Sequence, residues 1–125
     1  MRAFIASPPN RPGALAEMLD AVAQRGINIG SVGAATWDTG AAVAFTTDDE
    51  AGTRGALDAT SVPYRETGVA VASLENRPGT LAAAAQRLGS AGINIEAVFP
   101  MGMDGGKVQV GFAVADAAAA EQALG

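Results

Sequence analysis

The sequence predicts an α+β protein built from two copies of one βαββαβ unit in tandem, the second copy short of its last strand. Three observations carry the prediction. Two signals, Asn10-Arg11-Pro12-Gly13 and Gly26-Ile27-Asn28-Ile29, return as Asn76-Arg77-Pro78-Gly79 and Gly92-Ile93-Asn94-Ile95, each 66 residues further on. A repeat of that length is domain-sized, longer than most solenoid repeats. Between the signals, Leu15, Met18, Leu19 and Val22 stand at i, i+3, i+4 and i+7, and Leu81, Ala84, Ala85 and Leu88 take the matching places. That spacing is one face of an amphipathic helix in each copy. Further along, Val108, Val110, Phe112 and Val114 alternate as a half-buried strand does, and Phe112 answers Phe45 at an offset of 67, one residue of hairpin having been added.

Each element has a local reason. Residues 2–7 form a strand that Pro8-Pro9 ends, because proline has no N–H to continue a ladder. Asn10 is the expected helix cap and Pro12 suits the first turn; the helix runs to about Arg25, with Gly26 as its left-handed stop. Residues 27–37 and 41–47 are strands joined by the turn Asp38-Thr39-Gly40. Asp48-Asp49-Glu50 opens a second helix, where carboxylates suit the helix dipole; Gly52 and Gly55 are expected to interrupt it before Ala59. Residues 61–66 close the first unit as a fourth strand.

The second unit repeats this with a strand over 68–74, a helix over 78–91, and a hairpin of 93–103 and 107–114 around Asp104-Gly105-Gly106. A last helix covers 116–124, and Leu124 matches Leu57 with no strand after it. The order βαββαβ is the ferredoxin-like arrangement, two helices on one face of an antiparallel sheet. The expected domains are residues 1–66 and 67–125. Only Thr67-Gly68 separates their adjoining strands, which is too short for a flexible linker and predicts a rigid junction. Without a fourth strand in the second unit, the strand carrying Val69, Val71 and Leu74 is expected to be an open edge. Units of about 60 residues are marginal alone, so a homodimer is expected.

Composition excludes several functions. The chain has 125 residues, 49% of them hydrophobic and 17% charged, which argues for a globular fold. Net charge is −5 with no Lys/Arg cluster, so neither nucleic acid nor an anionic membrane is an expected partner. No apolar run reaches the roughly 18 residues of a membrane span, the start is too short for a signal peptide, and the expected location is cytoplasmic. The absence of Cys removes disulfides and thiolate sites, and the absence of His removes Ser-His-Asp and Cys-His catalysis. No enzyme activity, cofactor or metal is expected, although carboxylate catalysis stays formally open. Asp48-Asp49-Glu50 reads as a helix start more readily than as a metal site. Gly105-Gly106-Lys107 is no phosphate loop, since Met101 stands where its first glycine belongs and the context is strand–turn–strand.

The remaining candidates lie in the repeated signals. A helix N-terminus with free N–H groups seats a carboxylate, and Gly13 and Gly79 let a ligand approach the backbone. Asn28 and Asn94 each sit between two Ile at a strand start, so they face away from the core. Asn10 with Asn28, and Asn76 with Asn94, are therefore expected to gather amide donors and acceptors around one small zwitterion. The same residues also suffice for a structural turn with no ligand.

Glu75-Asn76-Arg77-Pro78-Gly79 followed by Gly92-Ile93-Asn94-Ile95 resembles the ACT domain, the amino-acid-sensing module of many biosynthetic enzymes. The matching signals at Asn10 and Gly26 make nearly the whole chain similar to a small protein of two tandem ACT domains. The resemblance implies a non-enzymatic regulatory protein that binds a small amino acid at interfaces between paired domains, as a homodimer, acting on a biosynthetic enzyme or a transporter. It implies ligand contacts from Asn76 and Asn94, and from Asn10 and Asn28. Serine-sensing members carry a His two residues before the turn Asn, where this chain has Leu74 and Pro8; amino-acid binding is implied, serine is not. The alternative reading is a structural or partner-binding subunit with vestigial ligand sites.

Overall fold

The computed structural model describes residues 1–125. It divides into two compact units, Arg2–Glu66 and Thr67–Gly125. The first contains β1 (Arg2–Ala6), α1 (Ala14–Ala23), β2 (Ile29–Trp37), β3 (Gly40–Thr47), α2 (Glu50–Asp58) and the opening residues of β4 (Tyr64–Glu75). Its strands lie in the order β2-β3-β1-β4. β1 and β3 are antiparallel with Phe4 opposite Phe45, and β2 and β3 with Val32 opposite Phe45. Because side chains alternate across a strand, Phe4, Ala6, Val43 and Phe45 share one face. Met18 and Val22 of α1, Ala56 and Leu57 of α2 and Ile27 close over it. The Phe4 and Phe45 rings stack at 5.7 Å between centroids. At the far end of β2, Trp37 pairs with Gly40 across a two-residue turn in which Asp38 has φ 55°, and its side chain is 89% exposed.

The second unit continues β4 and adds α3 (Thr80–Ser90), β5 (Ala97–Asp104), β6 (Lys107–Val114) and α4 (Ala117–Leu124), with strand order β4-β6-β5. β4 and β6 pair without interruption from Gly68 opposite Val114 to Glu75 opposite Lys107. Ala70, Ala72, Leu74, Val110, Phe112 and Val114 face Ala84 and Leu88 of α3 and Ala120 of α4. The expected fold class is the observed one: two tandem ferredoxin-like modules, the second with three strands, since no strand follows α4 within the 125 residues.

Three local expectations are corrected. Residues 61–66 and 68–74 are not two strands. β4 is a single twelve-residue strand, and the chain passes from one unit to the next inside it. Gly68 marks no break; a Cβ there would lie 3.0 Å from the Ala117 Cβ, so the glycine admits the start of α4 against the strand. Nor do Gly52 and Gly55 interrupt α2, which is continuous over Glu50–Asp58. A Cβ on Gly52 would come within 2.9 Å of Ile27 Cδ1, and one on Gly55 within 2.6 Å of an Arg25 guanidinium nitrogen. Both accept the general cost of glycine in a helix for a close approach. The third correction concerns the starts of the first helix in each unit, described with the site below.

An ion-pair cluster ties the first unit together at the start of β1. Arg54 donates to both oxygens of Glu66, at 2.7 and 2.8 Å, and Arg2 Nε donates to the same carboxylate at 3.2 Å. The Arg2 backbone N–H donates to Glu50 Oε2 at 3.0 Å. The Arg54 hydrogen bond, helped by Arg2, holds the Glu66 carboxyl below the usual carboxylate range against a smaller opposing effect of burial. A depressed folded-state pKa means stability that is present above the unfolded value, about 4.3, and lost as pH falls through the folded one. Glu66→Gln is therefore expected to lower the urea midpoint at neutral pH, with the difference from wild type closing in strong acid. Midpoints separated equally at both pH values contradict the linkage.

Candidate functional site

Both repeated turns end on a glycine in the left-handed region, Gly13 at φ 85° and Gly79 at φ 90°. Each is the N-cap residue of its helix, and no side chain caps either helix. The helices thus begin at Ala14 and Thr80, not at Pro12 and Pro78, and the expected capping role of Asn10 is corrected. A capping side chain must lie directly before the first turn, whereas Asn10 is three residues too early. Its Nδ2 donates instead to the Asp38 carbonyl at the hairpin tip, 3.1 Å away. The first N–H groups of a helix have no intrahelical partner; at α1 the Ala14 N–H donates to the Arg11 carbonyl at 3.2 Å within the turn. Nothing lies within 4 Å of a Cβ added at Gly13 or Gly79. These glycines answer a backbone conformation, and the space above them is open. Gly79→Ala is expected to destabilise by about 1–2 kcal/mol through left-handed strain alone, read from urea unfolding; a neutral result rejects the strain argument.

Beside the first turn is an open cleft of about 410 Å³, lined by Pro8, Pro9, Asn10, Leu15, Ala34 and Thr36 among others. Its counterpart in the second unit, about 260 Å³, is lined by Asn76, Arg77, Gly79, Thr80, Leu81 and Val110 among others. The turn arginines are drawn to different carboxylates: Arg11 pairs with Glu17 at 2.9 Å, and Arg77 with Glu75 at 2.7 Å. Those hydrogen bonds hold the carboxyls of Glu17 and Glu75 below their ordinary range. Both pairs are exposed, and exposed ion pairs contribute little to stability. Thr80 Oγ1 donates to the Glu75 and Arg77 carbonyls at 2.8 and 3.2 Å and stitches the second turn.

Asn28 and Asn94 do not join these clefts. A helix of 10 or 11 residues stands between each turn and its strand start, a rise of roughly 15 Å. The expected grouping of Asn10 with Asn28, and of Asn76 with Asn94, around one ligand within a single unit is therefore corrected: each pair marks opposite ends of its module. Gly26 and Gly92, both at φ 73°, turn the chain out of the helices. After α3, Gly92 N–H donates to Gly89 O at 3.0 Å and Ile93 N–H to Leu88 O at 2.9 Å, the two bonds of a Schellman stop. Asn94 is thereby delivered to a further cleft of about 400 Å³ lined by Gly92, Ile93, Asn94, Glu96, Ala115 and Asp116. One residue of this end escaped the sequence reading. Asp48, read there only as part of a helix start, accepts the Asn28 N–H at 3.0 Å, while Asp49 does the capping, from Gly52 N–H at 2.9 Å. Only the tertiary approach of β2 to the end of β3 separates the two roles.

No group of three or more acidic, His or Cys residues gathers to hold a metal ion. No helix is long and apolar enough to cross a membrane.

No family model matches the chain, and no curated protein does. Solved structures do. A protein of Bacteroides thetaiotaomicron superposes with a TM-score of 0.77 at 20% identity, covering 98% of this chain and 85% of that one. The regulatory subunit of aspartate kinase from Thermus flavus gives 0.71 at 22% identity, over 98% and 90%. The Thermus thermophilus regulatory subunit of aspartate kinase, in ligand-free form, gives 0.68 at 22% identity, over 98% and 89%. The likeness is one of fold: this chain has the tandem ACT-type architecture.

Proposed function

We propose that this tandem ACT-type chain is a non-enzymatic regulatory protein that binds a small amino acid where modules of two chains meet. The observation that carries the reading is the pair of repeat-equivalent turns. Each offers a helix start with no side-chain cap, a left-handed glycine with open space above it and an arginine in an exposed ion pair, beside a cleft of a few hundred Å³. That set offers hydrogen-bond donors to the polar groups of a small ligand. Because Asn76 and Asn94 occupy opposite ends of their module, a ligand touching both kinds of residue needs the turn end of one module and the strand-start end of another. Exposed apolar residues at matching positions support association along the outer strands: Val32 on β2 and Val98 on β5, with Leu15 and Leu81 on the neighbouring helices. The proposed ligand set is Asn10, Gly13, Asn28, Asn76, Gly79 and Asn94, with the second unit binding better because Asn76 makes no bond such as Asn10 makes to Asp38. The partner is a biosynthetic enzyme or transporter whose activity the ligand-bound form alters. The test is a thermal-shift screen with the proteinogenic amino acids, joined to sedimentation at micromolar concentration. A ligand at 100-fold over its dissociation constant stabilises by about 2.7 kcal/mol. A screen with no saturable shift, from a chain that sediments as a folded monomer, leaves the subunit with vestigial sites as the better reading.

A further inference from the structure

The two units differ at the strand-start end of the module. From that difference we infer that the second unit carries an exchangeable carboxylate site which the first unit fills with its own side chain. The inference rests on the amino-acid-binding reading above and says where, and in which unit, the ligand carboxylate sits.

In the first unit the chain leaving α1 is clamped to the end of β3. Asn28 N–H donates to Asp48 Oδ1 at 3.0 Å, and Asp48 N–H donates back to the Asn28 carbonyl at 3.2 Å. β2 is thereby zipped onto β3 from Ile29, opposite Thr47. A carboxylate on a backbone N–H is a charge-assisted hydrogen bond, among the stronger kinds a protein makes.

In the second unit the repeat puts Ala115 in the place of Asp48, 67 residues on. A methyl group accepts nothing, and no acceptor answers the Asn94 N–H. The strand start is correspondingly unzipped. Residues 93–96 have no regular structure, the first bond back to β6 is Glu96 N–H to the Ala113 carbonyl at 2.8 Å, and β5 is paired only from Ala97. The rest of the frame is kept. Asp116 caps α4 by accepting Ala119 N–H at 3.0 Å, as Asp49 caps α2 at 2.9 Å. What the second unit lacks is one carboxylate, and where that carboxylate would be there is the open cleft of about 400 Å³.

A ligand carboxylate entering this cleft takes the position of the Asp48 side chain and accepts the Asn94 N–H. Asp116 and Glu96 line the same cleft, so a bare anion meets like charge, while an ammonium group beside the carboxylate meets opposite charge. The fitting class is a small amino-acid zwitterion. One chain thus holds a permanent internal occupant in its first unit and an exchangeable one in its second.

The test is an amide-resolved NMR titration of the full chain with glycine. The Asn94 amide is expected to shift saturably while the Asn28 amide stays still. Ala115→Asp, which restores the internal carboxylate, is expected to abolish the Asn94 response and to weaken glycine binding by at least about tenfold. Asp48→Ala is expected to make the Asn28 amide responsive. Acetate, lacking the ammonium group, is expected to bind more weakly; equal binding removes Asp116 and Glu96 from the site. An Asn94 amide unmoved by glycine in the wild-type chain overturns the inference whether or not either variant folds, and so does unchanged affinity in a folded Ala115→Asp chain. If the amino-acid screen finds a ligand whose binding ignores Ala115→Asp, the location is wrong and the amino-acid-binding reading stands. If no amino acid binds at all, both fall.

Discussion

Phe112→Ala is expected to destabilise the chain by about 3–5 kcal/mol. Phe112 is fully buried and is the one aromatic in a core cluster of which Ala70, Ala72, Ala84 and Ala120 form four of the nine members. The cost of a large-to-small change depends on how far the surroundings collapse into the void. Alanines carry no side-chain length with which to collapse, and Leu88 and Val114 are already fully buried. A domain's whole stability is commonly only 5–15 kcal/mol, so such a loss leaves the second unit near its unfolding limit at room temperature. Urea unfolding followed by far-UV circular dichroism measures it. A loss below about 1 kcal/mol shows that the cluster relaxes, and the close-packing argument then fails.

Asn76→Ala and Asn94→Ala are each expected to weaken binding of the cognate amino acid by about 1–3 kcal/mol, the cost of leaving a polar ligand group without its partner, while leaving the urea midpoint unchanged. The two halves of that expectation come from the same facts. Both residues are exposed, and neither is a cap, a turn bond or a core contact in the free chain, so the fold loses nothing with the side chain. Asn10→Ala is the control with the opposite signature. It removes the bond to the Asp38 carbonyl and so loosens the β2–β3 hairpin even without ligand. Calorimetry decides: unchanged affinity in both variants takes Asn76 and Asn94 out of the site.

The fold was legible because it is written twice. The offset of 66 residues aligned the turns, helices and strand starts of the two units before any element was assigned, and the fold class followed from the order alone. What was illegible has one physical source, the approach of segments remote in sequence. Thr67-Gly68 reads in the sequence as the short join between two strands, whereas Gly68 lies inside the single strand β4 and makes room for Ala117. Gly52 and Gly55 looked like helix breakers and are points where Asp49, Ile27 and Arg25 press on α2. The candidate residues could be named from the repeat, but not their grouping. The adjacency of Asn10 to one helix end and Asn28 to the other shows only when the helix is laid down at its full length. Asp48 and Ala115, at matching positions, become informative only once Asn28 is seen bonded to the first.

The exposed indole at the end of β2 sets what light can report. Trp37 is the chain's single tryptophan, and with 89% of its surface in water its emission is already that of a solvated indole in the native state. Unfolding the core moves it from water to water, so intrinsic fluorescence is nearly blind to denaturation. Anything that settles on the hairpin tip strips that water away, shifts the emission to the blue and shields the ring from iodide. The chain therefore carries a built-in optical probe of contact at the hairpin tip, independent of whether its hydrophobic core is intact.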